Sequence, residues 1–202
     1  MISIFTRDLG LVFASAQGIR FEKSKLRPFT RDYSFGQFSF VKGKEYWRLT
    51  GASGFGNEFE GHFAGSPPAG GSRELDASSA GDDIGSREMF LNTDAQTLVA
   101  RIASLLERLL HGEQPNPELF DCIEAANVFL AGSSNLNAEE LETLESLIII
   151  RILHHLGYIG DAADLNGYVH SLELSRDLLQ SLKGKRAAMN KHINKALRES
   201  HL

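Results

Sequence analysis

The stretch AQGIRFEKSKLRPFTRDY, Ala16 to Tyr33, carries Arg20, Lys23, Lys25, Arg27 and Arg31. Such a run offers phosphate neutralisation, since each Lys or Arg that meets a nucleic-acid phosphate releases condensed counterions whatever the base sequence. The run stands out because the chain is acidic overall, with 21 Lys plus Arg against 26 Asp plus Glu. Residues 1–50 hold nine basic and four acidic side chains, and residues 151–202 eight and five. Residues 51–100 hold two and eight, and residues 101–150 two and nine. A basic front, an acidic middle and a mildly basic tail can each face a different partner.

Covalent and metal chemistry find little support. No G-x-S-x-G, no H-E-x-x-H and no glycine-rich loop ending in Lys-Ser or Lys-Thr occurs. Residues 1–50 offer only Asp8, Glu22, Asp32 and Glu45 as carboxylates, too scattered for a nuclease or nucleotidyltransferase centre. Adjacent His154 and His155 point about 100° apart on a helix, so packing and C-terminal capping suit them better than metal ligation. The single cysteine, Cys122, excludes an internal disulfide and any multi-cysteine zinc site, and reads as a small buried thiol. The expectation is a protein that is not an enzyme and carries no metal or cofactor. The glycines of LGYIGDAADL, at 157 and 160, are spaced one residue too widely for a phosphate-gripping helix-hairpin-helix turn, so a plain helix stop is expected.

The elements that must position the basic run are strands. Ile2–Thr6, Gly10–Gly18, Tyr33–Val41 and Glu45–Thr50 are rich in β-branched and aromatic residues and tend to alternate, which predicts an antiparallel meander turning at Lys42-Gly43. A small β-barrel with a basic loop and aromatic strands combines phosphate neutralisation with base stacking, the two ingredients of single-strand binding. Tyr46 and Trp47 are the stacking candidates; alternation sends one of them outward, and Trp47 suits the core.

From Gly51 the pattern dissolves. Residues 51–86 hold nine glycines, two prolines and six serines, so residues 51–88 read as a flexible insertion. Phe55, Phe59 and Phe63 recur at helical spacing, but the intervening glycines oppose a helix. Residues 89–202 read as a helical domain. One helix opens at Asn92, Thr93 or Asp94 and stops at Gly112; a second opens at Pro117 and stops at Gly132; a third runs from Asn137 to Gly157. The third is apolar nearly all round from Leu147 to Leu153 apart from Arg151, the signature of a buried helix. A fourth from Ser171 or Ser175 to Leu182 and a last from Lys185 to Glu199 complete a bundle. No apolar run approaches the roughly 20 residues of a membrane span, and no signal sequence is evident, so a cytoplasmic protein is expected.

Four segments together, IFTRDLGLVFASAQGIRFEKSKLRPF, SFVKGKEYWRLTGA, LLERLLHGEQPNPELF and LETLESLIIIRILHHLGYIG, resemble in order and spacing the bacterial recombination mediator and DNA repair family RecO. The resemblance implies an α+β protein: an amino-terminal OB-fold over residues 1–50, then a helical domain. It implies a non-catalytic protein that binds single- and double-stranded DNA and anneals complementary strands. It also implies a protein that engages the acidic tail of single-stranded DNA-binding protein and, with RecR, helps load the RecA recombinase. The family's DNA-contact region falls on Arg20, Lys23, Lys25, Arg27 and Arg31, with Lys42, Lys44 and Arg48 on the following hairpin. Arg151, Lys183, Lys185, Arg186 and Lys191 are the cations of the helical domain that would take the acidic tail, Arg151 being equally well a buried salt-bridge partner.

Three departures from the family are visible, one being the glycine-rich insertion, which replaces a short linker. Members carry a further OB strand ahead of the one beginning at Ile2, so either the barrel is open or the start is misassigned. Many members bind zinc through four cysteines after the LGY helix, whereas DAADLNGYVHSLELS has none. The alternative function is a protein-interaction adaptor whose acidic bundle binds protein and whose basic front is incidental.

Overall fold

The computed structural model describes residues 1–19, 21, 24, 26–30, 32–44, 46–54, 93–133, 135–160 and 165–199. The expected insertion falls largely outside the described residues, as do Phe55, Phe59 and Phe63. Its first four residues, 51–54, belong to a strand instead. The architecture is α+β, a four-stranded open sheet followed by helices.

Strands β1 (Ile2–Thr6) and β2 (Gly10–Ser15) form an antiparallel hairpin with Ile2 opposite Ala14 and Thr6 opposite Gly10. The Thr6 hydroxyl closes its turn, donating to the Gly10 carbonyl and accepting from Leu9 N–H. Strands β3 (Gly36–Lys42) and β4 (Trp47–Gly54) form a second antiparallel pair with a register shift at Ser39/Phe40. The sheet order is β1-β2-β4-β3, and β2 and β4 run parallel, which corrects the expected meander. The reason lies in the connection after β2. It spans residues 16–35 and includes a 3₁₀ turn at Arg27–Phe29, long enough to cross β4's position and set β3 on the far side. The β3–β4 turn also differs from expectation. Gly43 serves close approach rather than positive φ, because a Cβ there would lie 2.6 Å from the Tyr46 carbonyl oxygen, to which Gly43 N–H donates.

Helices α1 (Thr93–Leu109), α2 (Pro117–Gly132), α3 (Ala138–His155), α4 (Asn166–Val169), α5 (Arg176–Leu182) and α6 (Arg186–Glu199) build the bundle. Local chemistry sets most of their ends. Asn116, Asn137 and Ser175 each accept an N-terminal N–H, and Asn137 and Glu140 form a reciprocal capping box. Gly157, at φ +77°, ends α3 in the left-handed conformation that an L side chain resists. Helix α3 is the bundle's axis: Leu144, Leu147, Ile148, Ile150, Ile152 and Leu153 are buried, and α1, α2, α4, α5 and α6 all pack on it. The short α4 was not expected from the sequence; four residues are too few to show a helical period. Among the described residues no helix is long and apolar enough to cross a membrane.

The sheet docks on the α1–α2 hairpin. Phe5 and Phe35 both pack on the Phe120 ring, at 5.7 and 6.1 Å between centroids, and Leu11 N–H donates to the Gly112 carbonyl. Gly10 is the tightest point: its φ is +74°, and a Cβ would sit 2.3 Å from the Gln114 carbonyl oxygen. Gly10→Ala is therefore expected to lower the unfolding free energy by about 2–4 kcal/mol, from backbone strain and overpacking together. Gly157→Ala, with similar φ but open space around it, should cost only about 1–2 kcal/mol. Urea denaturation of the two variants side by side checks this; equal losses would mean the Gly10–Gln114 contact relaxes.

Candidate nucleic-acid interface

Period-two alternation divides the small sheet into two faces. Val12, Ala14 and Leu49 are buried on the inner face, with Phe38 and Phe40 partly covered beside them. The same alternation turns Phe13, Tyr46, Arg48 and Val41 outward. Phe13 is 47%, Tyr46 54% and Val41 56% exposed, unusual for residues of this size on a sheet with a second, covered face. The ladders bring them together. Ser15 pairs with Arg48 and Ala14 with Trp47, so extending the parallel register by one residue sets Phe13 level with Tyr46, and Val41 lies opposite Arg48. Lys44 is exposed in the turn just before. Two aromatic rings and Arg48 thus share one face, with Lys44 in the adjoining turn, a composition suited to stacking bases and pairing their phosphates.

Trp47 points the other way, as its suitability for the core suggested. Its indole N–H donates to Glu113 Oε1 at 2.7 Å, and Lys42 Nζ lies 3.2 Å from Glu113 Oε2 and 5.1 Å from the Trp47 ring centroid. Glu113 belongs to the α1–α2 connection. The Trp47 hydrogen bond, then that of Lys42, holds its carboxyl below the ordinary carboxylate pKa. Lys42 is therefore engaged in the free protein, whereas Arg48 and Lys44 extend into solvent.

Of the sequence-derived DNA contacts, Arg27 sits exposed on the 3₁₀ turn and Lys42, Lys44 and Arg48 lie on or between β3 and β4. Arg20, Lys23, Lys25 and Arg31 are outside the described residues. Tyr33, 57% exposed with φ 62°, and Phe21, 74% exposed, flank the basic stretch. Sequence reasoning did not single out Phe13, although its signal was present: in Gly10–Ser15 it alternates with Val12 and Ala14. Glu113 carried no signal at all, lying 66 residues from Trp47 and 71 from Lys42.

The helical domain's expected partner cations are mostly occupied. Lys183 pairs with Glu139 at 2.9 Å and Arg186 with Glu142, while Lys185 lies over the Tyr168 ring and reaches its hydroxyl. Lys191 is exposed on α6. Arg151 is only 1% exposed and absent from the surface; it donates from Nε to the Tyr168 carbonyl and from Nη2 to the Glu173 carbonyl. It is buried, then, but bonded to backbone oxygens rather than to a carboxylate. Burial raises the pKa of the neighbouring Cys122 thiol, with Arg151 opposing that shift, and so keeps the thiol neutral.

His154 and His155 stand at the end of α3 with ring centroids 5.7 Å apart, and His170 lies 4.6 Å from His154. Among the described residues no group of three or more His, Cys, Asp or Glu is arranged to hold a metal ion. Burial, reinforced by His154, holds the His155 imidazole below its ordinary pKa, with Glu118 at 3.5 Å opposing. The folded state thus resists a proton that the unfolded chain accepts below about pH 6.5. Stability is expected to fall as pH drops through that value, and His155→Gln should flatten the fall, as thermal melts at several pH values would reveal; an unchanged profile would assign the dependence to other groups.

No protein-family model matches this chain, and a search of curated proteins finds no match.

Proposed function

We propose that this protein is a non-catalytic recombination mediator of the RecO kind, binding single- and double-stranded DNA through its amino-terminal sheet and annealing complementary strands. The observation that carries the reading is the outer sheet face, where exposed Phe13 and Tyr46 stand beside exposed Arg48 and Lys44. Strand order supports an OB-type origin for that sheet. The order β1-β2-β4-β3 with β2 and β4 parallel is not a simple meander, which fits part of a five-stranded Greek-key barrel of that kind. The two outer strands, β1 and β3, both border one cleft of about 590 Å³. On this reading RecR and the acidic tail of single-stranded DNA-binding protein are partners, RecA loading is the outcome, and the cytoplasm is the location. Of the expected tail-binding cations, Lys191 lies exposed on α6.

The test is binding of the whole chain to a labelled oligothymidylate across a salt series. Neutralising about four to six phosphates gives log K against log salt a slope of roughly −3 to −4 for single strands. Lys44→Glu with Arg48→Glu should weaken binding, flatten the slope by about 1.4, two contacts' worth, and slow annealing of complementary oligonucleotides with the fold intact. Absence of binding at low salt would favour the adaptor reading, and an unchanged slope in the double variant would move the DNA path off this face.

A further inference from the structure

Glu113 is bound as a phosphate oxygen pair would be. One carboxylate oxygen takes the Trp47 indole N–H at 2.7 Å and the other takes Lys42 Nζ at 3.2 Å. A neutral donor and a cation converging on one anion are what a phosphate diester also needs, and the carboxylate is held ionised by the same two groups. Lys42 lies on β3 directly opposite Trp47, on the inner face, but only two residues before Lys44 in the β3–β4 turn, so a DNA backbone that meets Lys44 at the turn end of the sheet has the Lys42–Trp47 pair beside it. Both charged side chains remain open to water, at 67% and 44% exposure, so an incoming anion can reach them.

The backbone around Glu113 is fixed. Gly112 accepts from both Leu11 N–H and Gln114 N–H, and Gln114 abuts Gly10. Exchange of one anion for another therefore needs only rotation of the Glu113 side chain, without undocking the sheet. We propose that Lys42 and Trp47 form a phosphate subsite that the Glu113 carboxylate occupies in the DNA-free protein, making Glu113 a built-in competitor that lowers affinity for nucleic acid. This rests on the DNA-binding reading and adds a regulatory element to it.

Glu113→Gln keeps an acceptor for the indole while removing the charge that competes. With fluorescein-labelled oligothymidylate and the full chain at low salt, it should bind about two- to fivefold more tightly than wild type, since an exposed ion pair is worth up to about 1 kcal/mol and 1.4 kcal/mol is tenfold. In a Lys42→Gln background the same substitution should give no gain. A Glu113→Gln affinity equal to wild type overturns the proposal, and so does a gain that persists without Lys42, which would reflect only lost long-range repulsion. Wild-type binding and its salt slope stand as the separate test of the reading beneath it: wild type that binds with a steep slope while Glu113→Gln changes nothing sinks the competitor alone, and wild type that fails to bind sinks both. If Glu113→Gln lost cooperative melting, Glu113→Asp, one methylene too short to bridge Lys42 and Trp47 together, would be judged by the same outcomes.

Discussion

Arg151→Ala is expected to lower the free energy of unfolding by about 3–5 kcal/mol, a large share of a domain's total stability. The side chain crosses from the middle of α3 to α4 and the connection after it, where Nε and Nη2 hold the carbonyls of Tyr168 and Glu173 at 2.9 and 3.1 Å. Neither carbonyl is then left to water or to a longer helix, since α4 stops after four residues. Removing the guanidinium orphans both oxygens, at about 1–3 kcal/mol each, and leaves a cavity against α3. Nη1 is buried without a partner among the described residues, so the site is already imperfect and further loss has little slack to absorb it. Arg151→Met, which refills much of the volume but bonds neither carbonyl, should recover only the cavity part. Denaturant titration followed by far-UV circular dichroism measures this. A loss below about 1 kcal/mol for Arg151→Ala would place the residue among ordinary surface positions and contradict the packing described.

Tyr46→Ala is expected to weaken single-stranded DNA binding by about 1–3 kcal/mol, roughly five- to 150-fold, if a base stacks on its ring as proposed. Phe13→Ala should lose a comparable amount, because the parallel β2–β4 register sets the two rings level on one face. Neither ring contributes to the buried core, so both variants should melt within about 0.5 kcal/mol of wild type. The salt slope should stay unchanged, since removing an aromatic ring releases no counterion. That constancy separates stacking from the charge reversals at Lys44 and Arg48, which must change slope. Trp47→Ala gives the opposite pattern: it removes an inner-face ring that meets Phe40 edge-on at 6.3 Å and bonds Glu113, and so should cost stability. Full affinity in the Phe13→Ala, Tyr46→Ala double variant would take the stacking role away from this face.

Much of the helical half was legible in the chain itself. Pro117 and Gly132 bound α2 as expected, Asn137 caps α3, and the apolar run Leu147 to Leu153 did mark the buried axis of the bundle. These are local signals: a cap bonds an N–H three residues on, and a helical stripe repeats within one turn, so a few neighbouring residues carry the whole message. Strand β1 was legible for the same reason, and alternation around Trp47 correctly sent it inward and Tyr46 outward. Tertiary structure decided the rest. That β2 pairs with β4 in parallel, that Phe13 thereby stands level with Tyr46, and that Glu113 reaches Trp47 and Lys42 all depend on residues 32 to 71 positions apart meeting in space. Period-two alternation specifies which face a side chain takes but not which strand lies beside it, because every neighbour in a sheet satisfies the same backbone hydrogen bonds. Arg151 shows the limit most clearly. Its place in an apolar run announced burial, while its bonding partners, one carbonyl of the short α4 and one of the connection after it, were fixed only when the chain folded back over α3.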